Sequence, residues 1–200
     1  ITIPVKITTG FFHNCMLMSD NSITCFGNNR FGQLGNGITE NASDIVPEIV
    51  LNASNVLQLV TGNYHSCFML GANDVRCFGD NQYGQLGNET NTASSIPVVV
   101  SNLTNVNYIT AGLNHNCALL NDGKVNCWGD NQFGQLGNNS MLNSNIPVEV
   151  MFVEEPEVVV TFLSSGGNHN CVLTSLGFVY CWGFNGYGQL GINENYLDYS

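Results

Sequence analysis

Positive charge is scarce in this sequence. Its 200 residues hold 4 Lys and Arg against 15 Asp and Glu, a formal net charge of −11. Nucleic acid and anionic membrane surfaces both reward clustered Lys and Arg, so neither is an expected partner. Charge of either sign is sparse at 10% of residues, and Asn stands in its place with 30 copies. No apolar run approaches the about 18 residues that mark a membrane-spanning helix. An initiator Met and a signal-peptide pattern are also lacking, which reads as a processed form or a fragment. No segment keeps a helical period, and no Ser-His-Asp set, phosphate loop or cofactor motif stands out. What remains is an apolar fraction of 44%, ordinary for a folded core.

One pattern recurs four times. Its clearest copy runs Gly112-Leu-Asn-His115-Asn-Cys117, then Asn121-Asp122-Gly123, then Cys127-Trp128-Gly129-Asp130-Asn131, and ends Gly134-Gln135-Leu136-Gly137. The other copies begin at Gly10, Gly62 and Gly166, and the His positions are 13, 65, 115 and 169. Each copy has the texture of β structure. His115–Leu120 and Lys124–Gly129 read as two strands joined by a three-residue loop with Gly at its end. Pairing symmetric about Asp122 sets Cys117 opposite Cys127 and Leu119 opposite Val125. Ile146–Val150, Ile96–Val100 and, more loosely, Val46–Val50 are further extended segments, each with a Pro that suits a sheet edge. A segment such as Val106–Thr110 leads into the next Gly-x-x-His. Four short strands per unit of about 50 residues are the mark of a propeller blade.

These residues closely resemble the regulator of chromosome condensation repeat, in which Gly-x-x-His, Cys/Trp-Gly-x-Asn and Gly-Gln-Leu-Gly mark each blade. The resemblance runs from Gly10 to Gly191. It implies an all-β fold of β-propeller blades, each of four antiparallel strands. Members of the family usually close a ring of seven blades, whereas four copies imply an open or partial propeller. The expected units are an N-terminal strand at 1–9 and repeats at 10–61, 62–111, 112–165 and 166–200, the last incomplete, within one continuous domain. The fourth repeat lacks its Pro-bearing strand. Ile1–Ile7 resembles that strand, and is expected to complete the last blade of this chain or of a neighbouring one.

The eight cysteines fall into pairs ten residues apart: Cys15 and Cys25, Cys67 and Cys77, Cys117 and Cys127, Cys171 and Cys181. Opposed residues of an antiparallel pair lie roughly 4.5–5.5 Å apart, within disulfide range. Four intrablade disulfides imply an oxidising compartment: secreted, cell-surface or lumenal. A zinc reading also exists, because His115 and Cys117 share a strand face with Cys127 opposite. The spacing fits a disulfide without requiring a fourth ligand. Recurrence of His in every copy points to a structural role, a hydrogen bond to a neighbouring strand's backbone. Phe26, Phe78, Trp128 and Trp182 are expected to fill the space between blades. Asp80 and Asp130 are replaced by Asn28 and Phe184 in the other copies, which argues against a repeated Ca²⁺ site.

Five glycosylation sequons occur, at Asn41, Asn52, Asn88, Asn102 and Asn138, all in connecting segments. The connection 151–163 is longer than its equivalents and holds Glu154, Glu155, Pro156 and Glu157, read as a solvated bulge. The resemblance implies several roles: nucleotide exchange on a small GTPase, chromatin binding, light sensing through clustered Trp, or inhibition of other proteins by secreted members. Exchange and chromatin binding fit poorly with disulfides, sequons and so few cations; light sensing fits poorly with only two Trp. The expected function is a non-enzymatic extracellular structural or scaffold protein, N-glycosylated and polymerising head to tail. The alternative is a secreted protein-binding or inhibitory propeller, of which this chain is a part. The expected partners are further copies of itself or an extracellular protein.

Overall fold

The computed structural model describes residues 1–151 and 159–192, with residues 40–44 described as backbone alone. The acidic connection centred on Glu154–Glu157 lies outside the described residues, as does the side chain of Asn41. Among the described residues, fifteen strands form four antiparallel sheets. β1 (Pro4–Thr9), β2 (His13–Met18), β3 (Ile23–Asn29) and β4 (Glu40–Ile49) make the first. β5 (Gln58–Thr61), β6 (His65–Gly71), β7 (Asp74–Gly79) and β8 (Ser94–Val99) make the second. The third holds β9 (Val106–Ala111), β10 (His115–Leu120), β11 (Val125–Gly129) and β12 (Ser144–Glu149); the fourth holds β13 (Val160–Ser165), β14 (His169–Thr174) and β15 (Val179–Gly183). Each sheet is a blade in chain order. Neighbouring blades touch through their first strands, β1 with β5, β5 with β9 and β9 with β13, so these line the axis.

The hairpin register is the expected one. Cys117 pairs with Cys127 and Leu119 with Val125, and the same offsets recur in the other three blades. Gly123 turns the third hairpin at φ 85°, where its amide donates to the Leu120 carbonyl. Pro97 and Pro147 sit on outermost strands. In each, the ladder slips between the second Cys and the following Gly, so a residue without an N–H breaks no regular bond.

The N-terminal segment does not behave as expected. β1 pairs with β2, Thr9 opposite Asn14 and Ile7 opposite Met16, and is the inner strand of the first blade. Its likeness to Ile96–Val100 is one of composition. Connection decides its place: β1 leads directly into Gly10-x-x-His13, as β9 leads into Gly112-x-x-His115. Ile1–Ile7 is therefore not the missing outer strand of the fourth blade. Each sheet also begins upstream of the repeat glycine, so the boundaries drawn at Gly10, Gly62, Gly112 and Gly166 fall between the first and second strands of a blade.

Candidate functional site

The chemistry of the molecule is concentrated in the seams between blades. Trp128 of the third blade lies fully buried against the Gly-Gln-Leu-Gly turn of the second and donates its indole N–H to the Gln85 carbonyl at 3.0 Å. Trp182 repeats this on Gln135, also at 3.0 Å, and Phe78 packs with Leu34 and Val50 of the first blade. The glycine that ends the turn is required by this contact. A Cβ on Gly87, whose φ is +65°, would lie 2.9 Å from the Trp128 ring. These aromatics fill the seams as expected. Phe26, on the first blade described, is half-buried.

The histidines reach across the same seams, to a side chain rather than to the expected backbone group. His65 Nε2 lies 2.9 Å from Asn116 Oδ1, and His115 Nε2 lies 3.0 Å from Asn170 Oδ1. Asn116 and Asn170 in turn donate Nδ2–H to the Gln85 and Gln135 carbonyls, each at 2.8 Å. Because those amides must donate there, their Oδ1 atoms face histidine and accept. The ring is then the neutral Nε2–H tautomer. At the first seam Ser66 takes the asparagine's place, 2.8 Å from His13 Nε2. Burial lowers the pKa of His13 to about 3 and of His115 to about 4; a neighbouring His65 adds to the fall in both. Burial also lowers His65. Among the described residues no three His, Cys, Asp or Glu side chains are grouped as metal ligands, and the sulfurs beside these rings are bonded to one another.

All four cysteine pairs close as disulfides: Cys15–Cys25, Cys67–Cys77, Cys117–Cys127 and Cys171–Cys181, with no free cysteine. The first three lie wholly inside the seams, while Cys171 and Cys181 are half-buried on the outer face of the fourth blade.

Sequence reasoning passed over the polar residues that hold the turns. Asn29, Asn81 and Asn131 are fully buried, and their Oδ1 atoms accept from the amides of Leu34, Leu86 and Leu136. Gln85 and Gln135 donate to Asp80 and Asp130, and Asn28 accepts from Gln33 in the first blade. The recurrence of Asn in Gly-x-Asn was the signal. Asp80 and Asp130 thus serve the turn. Burial raises the Asp130 carboxyl.

The sequon asparagines fall into two kinds. Asn52 and Asn102 are exposed in turns after the outer strands, at φ 54° and 55°. Asn88 and Asn138 are half-buried, and their Oδ1 atoms accept from Asn81 and Asn131. Asn41 lies within β4 rather than in a loop.

One cluster departs from the repetition. Phe12 stacks on Tyr64 at 5.0 Å, Phe11 meets Phe12 edge-on at 4.6 Å, and Phe31 meets Tyr64 at 5.1 Å. The Arg30 guanidinium lies 5.5 Å from the centre of the Phe31 ring. Asn114 and Asn168 occupy the Tyr64 position in the later blades, so this arrangement does not repeat there; at the third seam Phe184 meets Phe133 at 4.8 Å and Tyr187 at 6.0 Å instead. Beside the Phe11 cluster, a depression of about 340 Å³ at one end of the axis is lined by Gly10, Phe11, Gly62, Gly112, Leu113 and Gly166 among others, none of them ionisable.

Comparison with known proteins agrees with this architecture. A family model described as the regulator of chromosome condensation (RCC1) repeat matches residues 20–69, 74–119 and 122–173. A second model of that description matches 5–33, 56–85, 106–135 and 160–189. Protein RCC2 of Homo sapiens is 28% identical over 193 residues, 95% of this chain and 31% of that protein. Prp20p from Saccharomyces cerevisiae, solved in a study of its binding to Gsp1p and histones, superposes with a TM-score of 0.82 at 27% identity, over 99% of this chain and 48% of that one. The same yeast protein bound to Kap60 gives 0.81 at 26% identity, over 100% and 46%. The chain thus spans about a third of the curated relative and under half of the solved chains. The blades, the seams and these matches together place the chain in the regulator of chromosome condensation (RCC1) repeat family.

Proposed function

We propose that this chain is a non-enzymatic scaffold of an oxidising, extracellular compartment, N-glycosylated, whose blades present surfaces to other proteins. The observation that carries the reading is one disulfide in every blade with no cysteine left over. Cytosolic thiols are kept reduced, so a complete set of paired cysteines favours secretion. Repetition of the buried polar groups favours a structural role for them, since a catalytic centre needs one asymmetric arrangement. The test is peptide mapping, without reduction, of protein recovered from its natural source. Pairs 15–25, 67–77, 117–127 and 171–181 are expected, and free thiols throughout would remove the compartment from the proposal.

A second reading, a secreted protein-binding propeller, is favoured by the aromatic cluster. Interfaces are enriched in aromatics and Arg, and a few such residues carry most of the binding energy. The yeast relative was solved bound to Kap60 and studied for its binding to Gsp1p and histones. Replacing Phe12 and Arg30 by Ala should then weaken binding of a purified partner about tenfold or more while the fold is kept; unchanged affinity would place the binding face elsewhere. With a net charge of −11, this chain favours a basic partner in either reading.

A further inference from the structure

We propose that Asn36 is a site of covalent self-modification: its side chain cyclises onto the Gly37 nitrogen and loses ammonia, and the seam between the first and second blades controls when. This chemistry goes beyond the scaffold function and holds in any compartment.

The residue pair sets the reaction. Asparagine is a thermolabile residue, and the nucleophile that reaches it is the main-chain nitrogen of the next residue. Gly37 has no side chain to crowd that nitrogen. A base from solvent removes the Gly37 N–H proton, and the nitrogen attacks Asn36 Cγ. The N–Cγ bond forms, the Cγ–Nδ2 bond breaks, and ammonia leaves with a proton taken from water. Water then opens the cyclic imide. Cleavage at Cγ leaves aspartate at position 36, and cleavage at the main-chain carbonyl leaves isoaspartate. In sum, one amide and one water become one carboxylate and one ammonium.

The first blade activates the carbonyl, and the second blade withholds the nitrogen. Asn36 Oδ1 accepts from Asn29 Nδ2–H at 3.3 Å and from the Ile38 amide at 3.2 Å. Two donors thus meet the oxygen on which charge develops when Cγ is attacked. The Gly37 amide instead donates across the seam to the Ser95 carbonyl at 2.9 Å. A nitrogen held in this way keeps its proton and is not free to turn toward Cγ. The blades meet closely here, since a Cβ on Gly32 would lie 2.5 Å from Ser95 Cα. Gly37 itself is exposed, so solvent base reaches it once the bond to Ser95 opens. Cyclisation therefore draws on the fraction of molecules whose first seam is open at Ser95.

The second blade keeps the same frame without the reactive pair. Asn88 Oδ1 accepts from Asn81 and from the Thr90 amide, and the Glu89 amide donates to the Asn145 carbonyl at 3.0 Å. Glu89 at φ 67° and Asn139 at φ 55° stand where Gly37 stands at φ 85°. The turn thus accommodates a side chain, and the fold does not require glycine at 37. The chain's other Asn-Gly pair, Asn185-Gly186, matches Asn29 in position rather than Asn36. Asn185 is 2% exposed, and its Oδ1 accepts from the Leu190 amide. Conversion at Asn36 also marks the seam. Isoaspartate adds a main-chain carbon between Gly35 and Gly37, whose amides are tied to the Gly32 and Ser95 carbonyls. The bond to Ser95 then loses its register, and a molecule that has opened and reacted closes less well.

The test uses the oxidised 200-residue chain, held at mildly alkaline pH and followed by peptide mapping with fragment mass spectrometry. Conversion at position 36 should be at least about tenfold slower in the native protein than in urea. In urea, Asn88 and Asn138 should convert at least about tenfold more slowly than Asn36, because larger residues follow them. Gly37→Glu should slow position 36 in urea by a similar factor, with the fold kept as Glu89 keeps it in the second blade. Phe78→Ala, which empties the first seam beside Gly35, should bring the native rate close to the rate in urea. Amide hydrogen exchange of Gly37 in the unaltered chain reads the same gate without a variant. Exchange and conversion should rise together as urea is added below the unfolding midpoint. A native rate equal to the rate in urea, or conversion that stays level while Gly37 exchange rises, overturns control by the seam. Gly37→Glu reacting in urea as fast as the unaltered chain overturns the chemistry.

Discussion

His65 and His115 each donate Nε2–H to an asparagine whose orientation is fixed by a second bond to a backbone carbonyl. Removing Asn116 strands the buried His65 Nε2–H, while the Gln85 carbonyl keeps its bond from the Trp128 indole. Asn116→Ala should therefore cost about 1–3 kcal/mol, read from urea unfolding, the cost of one stranded buried group. The same rings make the fold sensitive to acid. The folded values of about 3 for His13 and about 4 for His115 lie below the unfolded value of 6.5. The native state then binds fewer protons than the unfolded chain. Stability is complete above pH 6.5 and falls as pH drops below it, by about 1.4 kcal/mol per pH unit for each such histidine. A urea midpoint that stays level from pH 7 to 4.5 would show that the buried rings accept protons without loss.

At the scale of the hairpin, the disulfide and the strand register impose the same pairing. Each bond closes a loop of about 11 residues, which corresponds to about 2.8 kcal/mol in the chain-entropy model. Replacing Cys117 and Cys127 together by Ala should lower stability by roughly 2–3 kcal/mol. Burial also sets an order of reduction. Cys171–Cys181 is half-buried while the other three are enclosed, so a mild reductant under native conditions should open it first, followed by alkylation and peptide mapping. Deleting residues 1–9 removes the inner strand of the first blade. It should expose β2 and lower the stability of that blade rather than of the fourth, as hydrogen exchange would read. Among the connecting segments, Asn52 and Asn102 are exposed while Asn88 and Asn138 are tied into the turns. In a secretory host, glycan occupancy should be higher at the first two, measured by mass before and after N-glycosidase.

Across the whole molecule, stability is a sum of blades and seams, as in other repeat proteins. Among the described residues, the second and third blades are covered on both sides, the first and fourth on one. In this 200-residue chain taken by itself, the first and fourth blades should exchange amide hydrogens before the second and third. Surface ion pairs add little: Arg76 with Asp74 and Lys124 with Glu149 are both exposed in part or fully.

The sequence by itself determined the blade. Period, Gly-x-x-His, paired Cys and the Asn-Asp-Gly turn act over ten or twenty residues, and local pairing physics turns them into hairpins with Cys opposite Cys. The inter-blade role of Phe78, Trp128 and Trp182 was legible for the same reason, since alternation sets the face on which a side chain stands. Tertiary structure alone decided what the histidines bond. Their partners lie about fifty residues away, and nothing within one repeat says whether a side chain or a backbone carbonyl will arrive across the seam. It also decided the fate of Ile1–Ile7, where composition suggested an outer strand and the direct connection to β2 made it an inner one. The aromatic cluster of Phe11, Phe12, Phe31 and Tyr64 became visible only once two blades stood side by side, because its members come from three separate segments whose proximity is set by the packing of whole sheets.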